Sequence, residues 1–138
     1  MTDIQFTIIQ QRATPPIQTF FALLMGWAGM LICRLIHQPA GSEFFAALVA
    51  IIFFSITNTV VSIAYKSYLR YTLPSFYLFI LLVVLLFLSA RWISGISIWH
   101  TSMHEYRMML ISISIFFLVI THLVRIIRAV YNLVEKEP

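Results

Sequence analysis

The sequence predicts an all-α fold: an integral membrane four-helix bundle with short loops and both termini on the cytoplasmic side. Two observations carry the class. Of 138 residues, 61% are hydrophobic and 10% charged, and the mean hydropathy is +0.93. A soluble domain averages about 45–50% apolar and about 25% charged residues. The apolar residues also gather into four runs, each near the roughly 20 residues that cross a hydrocarbon core about 30 Å thick. The same composition excludes a disordered chain, which would be polar and charge-rich. Four glycines and five prolines exclude collagen or linker material, and one cysteine excludes an internal disulfide framework.

The first span is read over about Ile17–Ile36, after a tail of residues 1–16. Thr14-Pro15-Pro16 opens it, with Thr14 as N-cap and proline suited to the first turn. Its run is long for the apolar core of a signal peptide, about 7–15 residues, so we expect a retained span. The second span is read over about Phe44–Tyr65, with Ser42 as N-cap after Pro39-Ala40-Gly41. The third is placed at about Ser75–Ile98, opened by Leu73-Pro74. The fourth is placed at about Met103–Val134, where Ser102 and Glu105 fit a capping box. Residues 93–99 and 111–115 alternate with period two, as a strand does. A strand is rejected for the second of these, because it lies inside a long apolar run and a helix satisfies its own backbone in lipid. The first is left as a frayed helix end or an interfacial loop. The N-terminal tail fits either a membrane-surface segment or an edge strand for a partner, or a simple tail.

Four crossings put both termini on one side. Arg12, Lys66, Arg70, Arg125, Arg128 and Lys136 then share that side, against Arg34, Arg91 and Arg107 opposite. The positive-inside rule therefore places the termini in the cytoplasm. The net charge of +4 follows from orientation and does not point to nucleic acid, since no basic domain or recognition module is present.

Helices in lipid associate through close packing and polar contacts. Ala22, Gly26, Gly29 and Cys33 are spaced four, three and four apart, so they share one face. We read this stripe as a seam within the chain, with Ala46 and Ala50 as its mate. Asn58 and His122 lie about 21–23 Å along their spans, at a rise of about 1.5 Å per residue. We expect them to hydrogen-bond between the second and fourth helices. A proton relay or ligand site is the functional alternative. At the opposite face, Arg91, Arg107 and Arg34 stand among tryptophans and histidines. Interfacial anchoring explains most of these residues. The functional alternative is an anion or lipid-headgroup site, with Arg91 and Arg107 clamping a phosphate or carboxylate.

No catalytic residue, cofactor or metal site is assigned. His100 and His104 lack a third ligand of fixed geometry, and only His122 is deep enough for an axial haem role. Nucleotide and nucleophile motifs are missing. The expected function is therefore not enzymatic: an accessory, assembly or structural subunit of a larger membrane complex. The expected partners are the lipid bilayer, other membrane subunits or a homo-oligomer, in a bacterial inner membrane. An oligomeric transporter or channel, and a quinone- or haem-pocket subunit of a redox complex, are the alternatives.

Overall fold

The computed structural model describes residues 14–39, 41–64 and 68–136, with side chains from 14–39, 41–63 and 71–136. Four helices follow one another: α1 Pro15–Leu35, α2 Ser42–Ala64, α3 Tyr68–Ser94 and α4 His104–Lys136, the last preceded by a 3-10 turn at Thr101–Met103. No strand occurs among the described residues, and residues 111–115 are helical. All four helices are long and apolar enough to cross a membrane. The chain thus has the makeup of a multi-pass membrane protein.

Helices α1, α2 and α3 close on one another. The buried positions of α3 are Tyr71, Ser75, Phe79, Leu82, Leu86 and Ala90, a single face at helical spacing. In α1 the face is Gln18, Ala22, Gly26 and Met30. Helix α2 buries a wider sector, including Phe44, Ala47, Ala50, Ile51, Phe54 and Asn58, because it is central. Small residues permit this approach. A Cβ on Gly29 would lie 3.1 Å from the Cβ of Ala46. One on Gly26 would lie 3.2 Å from the Cβ of Ala50 and 2.5 Å from a methyl of Leu86. Ala22 is fully buried, and Cys33 is half-buried with its thiol 4.0 Å from the Ser42 carbonyl.

Helix α4 is attached differently. Partly or fully buried positions recur along one stripe at 106, 110, 113, 117, 121, 124 and 128. Within α4, Phe117 is the residue that is fully buried. Its ring stacks on Phe79 at 4.3 Å and 4°, with Phe54 at 6.4 Å. Nearer the α3–α4 link, Phe44 meets Phe87 and Tyr106. At the other end, Arg128 donates to the Ile63 carbonyl at 2.9 Å, near the end of α2.

Several element ends depart from expectation. Helix α3 starts at Tyr68, not near Ser75, so Pro74 lies inside it. As the seventh residue of α3, proline lies past the first turn, so it cannot donate to the Arg70 carbonyl and its ring crowds that group, a local break in the ladder. Thr14 flanks α1 without a side-chain cap bond. An N-cap hydroxyl accepts from the N–H groups two and three residues on, and Pro16 has none to donate. The Ser42 hydroxyl is buried without a partner, and it is Glu43 that accepts from the Gly41 N–H at 3.2 Å. Ahead of α4, the His100 ring accepts from the Ser102 N–H, so a histidine caps the turn where Ser102 was expected. Residues 95–100 form the loop between α3 and α4.

Candidate functional site

Two polar sites occupy opposite ends of the bundle. The first is a closed knot between α1, α2 and α3. Asn58 donates through its amide nitrogen to the Ser75 hydroxyl at 2.9 Å, the Tyr71 hydroxyl at 3.2 Å and the Gln18 side-chain Oε1 at 3.4 Å. Gln18 donates to the Tyr71 hydroxyl at 2.9 Å, and that hydroxyl donates to the Asn58 carbonyl. Ser75 donates to the Tyr71 carbonyl. All four side chains are buried. A polar group in this setting is costly unless bonded, and here three helices satisfy one another.

The expected Asn58–His122 bond is not made. His122 is exposed on α4, and its Nδ1 lies 2.9 Å from the Leu118 carbonyl of its own helix. Matching depth along two helices says nothing of which way each side chain faces. The partners that Asn58 does have follow from the early start of α3. That start puts Tyr71 and Ser75 on one helix face instead of in a loop.

The second site is open. A cavity of about 360 Å³ lies between α3 and α4 at the end where the 95–100 loop joins them, and Arg91, Arg107 and Trp99 line its mouth. Arg107 donates to the carbonyls of Ile98 and His100 at 2.8 and 2.9 Å and so pins that loop. Arg34 donates to the Ile93 carbonyl at 2.8 Å, capping the end of α3 from α1. Arg34 thus lies outside the cavity lining. Arg91 is exposed, and it has no hydrogen-bond or ion-pair partner among the described residues. Glu43 is turned to Gly41, and Glu105 lines a different cavity, between α2 and α4. Trp99 is 80% exposed at the mouth. Below it, the walls are Val83, Val84, Phe87, Leu88, Leu110 and Ile111. Chemically this arrangement offers two cations over an apolar trough. It suits an anion with a hydrocarbon body.

No group of three potential metal ligands occurs among the described residues. The expected N-terminal surface segment and Lys66 lie outside the described residues. Comparison of the chain with family models, curated proteins and solved structures gives no match, so the functional reading rests on this geometry.

Proposed function

We propose that this chain works by attachment: a small accessory, assembly or structural subunit that packs against a larger membrane complex. We place it in a bacterial inner membrane with both termini in the cytoplasm. The observation that supports attachment is the exposure of α4. Only 6% of its apolar stretch is buried inside the fold, against 56% for α2. A groove of about 600 Å³ runs along its flank toward α2. Such a groove offers the relief into which another helix packs. The stripe Gly26–Gly29 is occupied within the chain, and α4 is the least buried of the four helices. The helix also overshoots. Its 33 residues span about 50 Å, and the turns after Arg128 run about 12 Å past the tie to α2.

The test is photo-crosslinking in native membranes from Val119, Leu123 and Ile127, exposed on α4. A protein adduct of one defined mass is expected. Adducts to lipid alone, together with recovery of a lone monomer in several mild detergents, would overturn the reading. Orientation is checked separately: a cysteine placed at Ser97 should react only with reagent outside the cell.

A further inference from the structure

We infer that the groove between α3 and α4 binds one anionic phospholipid, its phosphate on Arg91 and Arg107 and an acyl chain along the trough below. The cavity at the mouth does not stand alone. Val83 and Val84 line both it and a second cavity of about 240 Å³ that continues between Phe79, Ile80, Phe117 and Leu118. The two form one trough along α3 from Arg91 to Phe76. Fifteen residues at about 1.5 Å each give about 22 Å. That exceeds half of a roughly 30 Å hydrocarbon core, so it is long enough for an acyl chain of one leaflet.

Charge selects the headgroup. Among the described residues lining the mouth there are two arginines and no carboxylate. Arg107 is fixed by its bonds to Ile98 and His100, which neutralise no charge. Arg91 carries a guanidinium with five donors and no partner among the described residues. Arginines hold phosphate through paired charge-assisted bonds. Trp99 stands beside the arginines, and indole rings favour the headgroup region. The groove on the other flank of α4 is larger, but Glu105 lines it, so an anion is disfavoured there. A free anion would use the arginines and leave the trough idle, and a zwitterionic lipid would use the trough with less gain from the charge.

The experiment is native mass spectrometry of the full chain released from vesicles of phosphatidylcholine with an equal share of phosphatidylglycerol. One phosphatidylglycerol should be retained per chain, in preference to phosphatidylcholine. Each arginine near an anionic lipid contributes about fivefold in affinity. Arg91→Gln should therefore lower the preference about fivefold. Its thermal midpoint in phosphatidylcholine alone should match wild type, since the side chain is exposed. Val84→Trp should reduce retention of both lipids by filling the trough. Millimolar inorganic phosphate should not displace the bound lipid. Equal retention of the two lipids, or an unchanged preference in Arg91→Gln, would overturn the assignment. Displacement by phosphate would overturn it in favour of a soluble anion.

Discussion

The apolar stretches of helices α2 and α4 are almost equal in hydropathy, yet 56% of one is buried and 6% of the other. Hydropathy therefore decides what enters lipid, and something else decides what packs. The difference lies in side-chain size. Helix α2 carries Ala46, Ala47 and Ala50 within little more than one turn. Helix α4 has neither glycine nor alanine between Arg107 and Arg125. In lipid the apolar side chain gains nothing by leaving its solvent, so contact depends on how closely backbones can approach. Helix α3 has no glycine or alanine from Phe76 to Leu88 either, but Leu86 fits the hollow that Gly26 provides on α1. Helix α4 meets no such hollow and holds on through Phe117, Tyr106 and Arg128.

The largest expected effect follows from filling that hollow. Gly26→Leu would drive side-chain atoms into Leu86 and Ala50. Overpacking costs about 1–3 kcal/mol, and this site is at the upper end because two helices must move. Ser112→Leu adds comparable bulk on the exposed side of α4 and should change stability by less than about 0.5 kcal/mol. Unfolding free energies from detergent titration check both. Equal losses would remove the distinction between the two helices.

Next in size is Phe117→Ala. It deletes the ring stacked on Phe79. In water such a truncation costs about 3–5 kcal/mol. Within lipid the transfer part of that cost falls away, and about 2 kcal/mol from lost packing remains. The loss should be local: disulfide trapping between α4 and α2 should weaken while trapping between α1 and α2 persists.

Asn58→Leu should cost about 1–2 kcal/mol, since it leaves Gln18 and Ser75 without their amide partner. His122→Leu should cost nearly nothing, because that ring is exposed. A double-mutant cycle with Tyr71→Phe should show coupling to Asn58, and a cycle with His122 should show none. Coupling between Asn58 and His122 would restore the bond that depth alone suggests.

These cases mark what is legible in a sequence of this kind. The four helices are legible, because solvent quality and length dictate them one segment at a time. The small residues of α1 and α2 can be matched by eye across a short link, since a glycine stripe admits few neighbours. The knot around Asn58 is not legible in the same way. It needs the azimuth of three helices and a start for α3 that a proline conceals. The mouth at Arg91 and Arg107 is intermediate. Residue type and depth bring the two arginines to one end, but the trough beneath them arises only from how α4 leans on α3.

The smallest effect concerns the two links that set this contrast. After α1, Gln38 N–H bonds the Cys33 carbonyl and His37 N–H the Arg34 carbonyl, a Schellman closure. The left-handed residue it needs is His37, at φ 56°. After α3 the corresponding residue is Gly95, at φ 73° with open space around it. A side chain costs about 1–2 kcal/mol in this region, and glycine's greater freedom when unfolded returns about 0.5–1 kcal/mol of the difference. His37→Gly should thus stabilise the chain by about 0.5 kcal/mol, and Gly95→Ala should destabilise it by about 0.5–1 kcal/mol although nothing obstructs the new methyl. Both are read from the same detergent titration. Opposite signs at the two caps would show that the links differ in strain and not in room. Matching signs would mean that the left-handed backbone at residue 37 carries no such strain.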